Sequence, residues 1–415
     1  MNELILPAGA DAITRYRQFI AGIPKLRAGE KRKARRELRR ARRTLVEQTI
    51  DHSLKAALDP MRADDERLAW FWFNHFNVWW QKKLVGAALP DYLNSVIRPY
   101  SHGLFRELLY KVILHPAMLV YLDNTQNKAK KTNENLAREL LELHTLGVDA
   151  GYTQKDVIEV ARILTGLGLR PLKEAVQWRP ENGVQDEFYF DNEKHDKASK
   201  LVLGHVMDQG GFQEVEALVD LLASHPATAK HITWKLCLYC WGDDPPKGLH
   251  EETVHVFTSS NGDISKTIAA IHGYRENNSE NRRHTFKDPY RYILSAVTLL
   301  AAGKKIIKTE PIAHWLDALG ESLYDCRTPN GYSLIGKDWT SAGQLTQRFE
   351  MAPQMIDVVP RLLDEPVSPE AVLSHDKSQD LIASFGPASH NALSKAADDE
   401  ERLALLLSSP EFMYW

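Results

Sequence analysis

The densest set of reactive side chains lies in the run 133–147, NENLARELLELHTLG, where Glu134, Glu139 and Glu142 accompany Asn135 and Arg138. Read as a helix turning about 100° per residue, these five polar groups share an arc of about 140°, with Leu136, Leu140 and Leu143 opposite. Three carboxylates this close repel one another unless a cation or several donors neutralise them. Arg138 compensates one of them. Three readings are open. The face can be solvated, with Glu134–Arg138 and Arg138–Glu142 pairs worth a few tenths of a kcal/mol each. It can hold a hard divalent cation through oxygen ligands, or form a buried polar network that only fixes the fold. Oxygen ligation favours magnesium, calcium or manganese, and histidine participation leaves zinc or iron open.

Two further places carry candidate chemistry. His195 and Asp196, with Lys200 nearby, sit on what reads as a loop, and loops are where reactive groups concentrate. An inward Asn133 helix needs cations, so its carboxylate arc is expected to face this segment. His75 in FNHF shares a helical face with Trp72 and Trp79, either packed and hydrogen-bonded or made reactive by desolvation. The candidate catalytic set is therefore Glu134, Arg138, Glu139, Glu142, His195, Asp196, Lys200 and His75. Carboxylates would act as metal ligands or an acid/base pair, and a histidine would move the proton. His144 falls among the leucines of the same wheel and reads as a core histidine. His115 and His225 each precede proline, a structural position. No GxSxG elbow, P-loop or HExxH run is present. Cys237 and Cys240 form CLYC in a helical run without a second pair, which leaves a zinc site short of ligands.

Helical periodicity dominates the elements that must position these groups. A basic helix runs on through LVEQTIDHSLKAAL and stops before Pro60. RLAWFWFNHFNVWWQKKLV, apolar on nearly every side, belongs at the centre of the core. Thr153 and Asp156 mark a capping-box start for YTQKDVIEVARILTGL. Between about residues 174 and 205 the pattern alternates, and AVQWRP and EFYFDN around ENGVQD read as a hairpin. The expected fold is mainly α, an irregular multi-helix domain with a small β-hairpin projecting near residues 174–192. Residues 1–58 form an N-terminal basic helical arm and residues 59–415 a helical body, with a sub-division open near residue 210.

Of the 415 residues, 43% are apolar and 26% charged, which excludes disordered and collagen-like classes. No stretch of about 18 apolar residues suggests a transmembrane helix. The first residues show no secretory pattern and three cysteines make no disulfide framework. A cytoplasmic setting is expected, and export together with a partner stays open. The net charge of −3 conceals an asymmetry. Residues 25–43 carry eleven Lys/Arg against Glu30 and Glu37, a local balance of +9. Such a strip suits anionic partners, although it lacks aromatic platforms for bases and nucleic acid is not the expected one. Its apolar stripe (Leu26, Ala34, Leu38, Ala41, Leu45) is thin, so the arm reads as a solvated or partner-covered helix, dispensable for folding.

The run from FWFNHF through HPAMLVYLDN, NENLARELLELHTLG and YTQKDVIEVARILTG to HDKASKLVLG resembles the bacterial family called domain of unknown function 1800. SHPATAKHITWKL, LGESLYDCRTPNGYS and the closing SPEFMYW extend the likeness over nearly the whole chain from about residue 60. The resemblance implies a mostly helical fold and a neighbouring partner of the type called domain of unknown function 1501, whose members look like exported sulfatase-like proteins. Cys326 stands where the family usually has proline. Two functions remain: a metal-assisted hydrolase or transferase, or a non-catalytic helical partner or maturation factor. Convergence of Glu134, Glu139, Glu142, His195 and Asp196 in one concave pocket favours the first; dispersal, or burial in pairs, favours the second.

Overall fold

Four helices organise the N-terminal part: α1 (Asp11–Gly22), α2 (Ala28–Leu58), α3 (Ala63–His75) and α4 (Val85–Asp91). They come from a computed structural model that describes residues 4–9, 11–177, 187–277 and 285–415. The chain is mainly α, as expected, and among the described residues the strands form only two small two-stranded sheets.

Helix α3 opens with Asp64, Asp65 and Glu66, acidic residues that suit a helix N-terminus. From Leu68 to His75 every residue is buried, the outcome expected of a helix apolar on all sides. Trp72 donates its indole N–H to Ser101 O at 3.0 Å, so its burial leaves no orphaned donor. The helix stops at His75, earlier than its apolar pattern suggests. Past that point side chains serve a distant loop instead. Asn77 donates to Cys326 O and Thr328 O at 2.9 and 2.8 Å, and Trp79 donates to Asp325 at 2.6 Å. The carbonyl of Phe76 accepts from the Tyr92 hydroxyl at 2.9 Å.

Helix α2 differs from the expected solvated arm. Ala34, Leu38, Ala41, Leu45 and Val46 are buried on one side, and the helix packs against α4. Gly86 permits this approach: a Cβ there would fall 2.7 Å from Trp80 O and 2.9 Å from the Arg42 stem. Tyr16 of α1 and Arg42 of α2 both donate to Lys83 O, at 2.9 and 2.7 Å, which ties both helices to the same turn.

Strands β1 (Leu167–Leu169) and β2 (Phe188–Phe190) pair antiparallel, with Gly168 opposite Tyr189. Strands β3 (Lys200–Val202) and β4 (His205–Met207) form a hairpin closed by Leu203 and Gly204, both at positive φ. A hairpin element is therefore present, but the partner of Phe188–Phe190 comes from before residue 174. Leu172–Gln177, which overlaps the first half of the expected AVQWRP strand, is helical, and residues 178–186 lie outside the described residues. The closing segment docks on the body, with Phe412 and Met413 buried. Among the described residues no helix is long and apolar enough to cross a membrane.

Candidate functional site

The Asn133 segment does not keep one helical period. Asn133 Oδ1 accepts from Asn135 N at 3.0 Å and starts a regular helix over Asn135–Glu139. Leu140–His144 then widens into a π-turn, and Thr145 Oγ1 closes it by donating to Leu140 O at 2.7 Å. A π-turn adds a residue to the repeat, so a wheel drawn at 100° per residue misplaces everything after Glu139. The three carboxylates have different partners. Glu134 accepts from Arg138 at 2.9 Å and from Gln154 at 2.8 Å, a partly exposed network on the adjacent Gln154–Ile163 helix. Glu142 accepts from the Tyr152 hydroxyl at 3.4 Å. Glu139 is half-buried, and desolvation together with the nearby Glu142 carboxylate pushes its carboxyl up.

The post-hairpin residues form a different cluster. Lys200 donates to Glu214 and to Asp196 O, with the Lys200 and Glu214 side chains fully buried. His195 Nε2 lies 3.2 Å from the same Glu214 oxygen without a hydrogen bond to it, while Nδ1 lies 2.9 Å from Thr165 O. Asp196 pairs with Arg162 at 2.9 and 3.1 Å, and this guanidinium holds its carboxyl below the usual carboxylate range. Among the described residues no hydrogen bond or ion pair joins this cluster to Glu134, Glu139 or Glu142. The sequence reading missed Glu214. It lies 14 residues beyond Lys200, on the Gln213–Ser224 helix.

His75 belongs to a third cluster that the sequence reading did not assemble. His231 and Lys235, one turn apart on the Pro226–Cys240 helix, meet His75 and the π-turn. His75 Nε2 lies 3.2 Å from His144 O, and Lys235 Nζ lies 2.9 Å from His75 Nδ1. An ammonium can only donate, so Nδ1 is the acceptor and the His75 proton sits on Nε2. His231 Nε2 meets Leu143 O at 3.1 Å. The two histidines therefore satisfy carbonyls that the end of a helix leaves free. Gly147, at φ +88°, keeps the following turn clear; a Cβ there would fall 3.0 Å from His231 Nδ1. Among the described residues no group of three or more His, Cys, Asp or Glu is placed to hold a metal ion.

This cluster makes stability depend on pH. Burial, then Lys235, pushes His75 well below its ordinary value and His144 down to about 3. Both rings are neutral in the fold, whereas in the unfolded chain they bind protons near pH 6.5. The unfolded state thus binds more protons below that point, and stability falls with pH by up to about 1.4 kcal/mol per unit for each histidine. For His144 the loss runs on down to about pH 3. In His144→Leu the acid limb of urea-unfolding stability is expected to flatten by one proton's worth. An unchanged slope would refute a neutral buried His144.

A cationic surface lies on α2. A cleft of about 820 Å³ runs between the helix and the Leu4–Leu6 segment, lined by Arg32, Lys33, Arg36 and Arg40. Glu37, also on its wall, is engaged by Leu4 N at 2.8 Å. Arg32, Arg35, Arg36 and Arg39 are exposed, and among the described residues no carboxylate pairs with them. At about 100° per residue these four fall on one side of the helix.

Comparison with curated proteins and with solved structures returns no match. The family model described as protein of unknown function (DUF1800) matches residues 4–414, and with that span covering nearly the whole chain, the protein belongs to this family.

Proposed function

We propose that the protein is a non-catalytic helical partner or maturation factor that docks on an acidic protein surface through α2. One observation carries the reading: a row of exposed arginines stands on a helix whose other side is buried in the body. A row mounted this way loses little freedom on binding, and cations without local counterions raise association rates with acidic partners. The partner type implied by the family resemblance, the domain of unknown function 1501, is the one to test. The metal-assisted hydrolase or transferase reading needs Glu134, Glu139, Glu142 and His195 in one pocket. It draws support only from the proximity of Glu139 and Glu142.

Reversing the row by Arg32→Glu, Arg36→Glu and Arg39→Glu tests the proposal. These side chains are exposed and surface changes are near neutral for folding, so circular dichroism and melting temperature should stay as in wild type. Affinity for the 1501-type protein, measured by titration calorimetry, is expected to fall by roughly 100-fold, with a wild-type affinity that weakens as salt rises. Equal binding by the reversed protein would sink the reading. Tight binding of duplex DNA that survives moderate salt would do so too, since charge-only contacts weaken steeply with salt.

A further inference from the structure

A second cleft, of about 750 Å³, opens where the C-terminal end of α2 and the turn after it meet residues 303–307 and the Asp376–Ala383 helix. Its cations come from four separate places in the sequence: Lys55, Arg62, Lys304 with Lys305, and Lys377. The fold, not a local charge run, brings them together. A cleft lined by one sign of charge focuses its field and concentrates counter-ions.

Two of these cations are already matched. Lys55 pairs with Asp51 at 2.9 Å in the last turn of α2, where a cation suits the helix end, and Lys304 pairs with Glu365. Among the described residues no carboxylate pairs with Arg62, Lys305 or Lys377. The main chain anchors all three. Arg62 N donates to Asp59 O at 2.9 Å, Lys305 O accepts from Asp364 N at 3.0 Å, and Lys377 N donates to the His375 ring at 3.3 Å. The one carboxylate on the wall, Asp59, accepts from Met61 N at 3.0 Å and pairs with no cation. Three unmatched cations against Asp59 leave a surplus of two positive charges. The rest of the wall is largely apolar, with Leu58, Pro60, Ile306 and Ile307. Ile307 is 43% exposed there. Apolar walls with a few converging charges are the usual form of a small-molecule site of this size.

We infer that this cleft binds a small phosphate monoester, its phosphate among Arg62, Lys305 and Lys377 and its apolar organic group against Ile307. The inference goes beyond the docking role and does not depend on it, since the arginine row stands on the N-terminal half of α2 and the cleft at its other end. A phosphate monoester carries a charge of about −1.5 to −2 near neutral pH, which meets the surplus on the wall. The Arg62 guanidinium is a planar fork that can hold two phosphate oxygens, and the two ammoniums act as point charges beside it. Ile307 gives the organic group an apolar surface that is otherwise left in water.

Titration calorimetry of the full chain with phenyl phosphate, at fixed ionic strength and neutral pH, tests the site. One molecule should bind per chain, about fivefold or more tightly than inorganic phosphate, because the ring buries apolar surface. Arg62→Gln combined with Lys377→Gln should weaken phenyl phosphate by about tenfold or more. Both side chains are exposed, so the melting temperature should stay as in wild type. Ile307→Ser should remove the preference for phenyl phosphate and leave the affinity for inorganic phosphate as it was. Reversing the α2 row by Arg32→Glu, Arg36→Glu and Arg39→Glu should leave phenyl phosphate binding unchanged. No saturable binding of phenyl phosphate by the wild-type chain would overturn the site without any variant having to fold. Unchanged affinity in the Arg62 and Lys377 variant, or loss of binding in the α2 variant, would overturn it as well. Equal affinity for phenyl phosphate and inorganic phosphate would overturn the apolar part of the ligand.

Discussion

Glu214→Ala is expected to lower the stability of the fold by about 3–5 kcal/mol, the range for removing one partner of a buried ion pair. The variant leaves the Lys200 ammonium enclosed, with Asp196 O as its remaining oxygen partner, and leaves His195 Nε2 facing a void. Gly210 N, which donates to Glu214 at 3.2 Å, loses its acceptor as well. Urea unfolding near pH 7 measures the loss. A double variant, Glu214→Leu with Lys200→Met, separates two accounts of it. If the penalty comes from an uncompensated charge, the double variant recovers most of the stability, because apolar groups of similar volume replace buried pairs at little net cost. If it recovers nothing, the contacts of that particular ion pair matter more than its charge balance. A single variant within about 0.5 kcal/mol of wild type would mean that Lys200 finds water or another acceptor.

The same cluster marks how far the residue pattern reaches. Composition and period suffice for elements whose causes are local. The core position of α3 follows from an all-round apolar sequence. The capping box at Thr153 forms as the residue types demand, with Asp156 Oδ2 accepting from Thr153 N at 2.8 Å. His115 and His225 take structural posts, each accepting from the N–H two residues on at 3.1 Å to cap the next helix. Cys237 and Cys240 are free thiols, and burial pushes them up to about 11 and about 12.

What the pattern does not contain is long-range. The π-turn at Leu140–His144 has carbonyls that His75 and His231 satisfy from 69 and 88 residues away, and nothing in NENLARELLELHTLG announces them. Because the turn shifts the helical phase after Glu139, a wheel of constant period is sound for Glu134 and Glu139 but not for Glu142. Adjacency to Asp196 in the sequence marks His195 and Lys200 as site groups. Their actual partner, Glu214, sits on another helix. His195 and Lys200 are buried, as an inward-facing segment should be, but their counter-charge comes from a different helix than the one expected.

Removing residues 1–44 is the second large effect, and it reverses the expectation that the arm is dispensable. The deletion takes Ala12, Ile13 and Tyr16 of α1 and Ala34, Leu38 and Ala41 of α2 out of the core. Ile13, Tyr16 and Leu38 alone contribute about 1.5–3 kcal/mol each by burial. Their sum is comparable with the whole stability of an ordinary domain, about 5–15 kcal/mol. The bonds from Tyr16 and Arg42 to Lys83 O, and the Arg17–Glu187 ion pair at 2.5 Å, go with them. A chain beginning at Leu45 is therefore expected to melt more than 10 °C lower by calorimetry, or to lose its cooperative transition. Point variants on the same helix divide the two sides. Leu38→Ala should cost about 2–5 kcal/mol through the cavity it leaves, and Arg36→Glu less than about 0.5 kcal/mol. A truncated chain that melts within a few degrees of the full one would show that α2 only rests on the body. The arginine row would then lack the rigid mount that the docking proposal gives it.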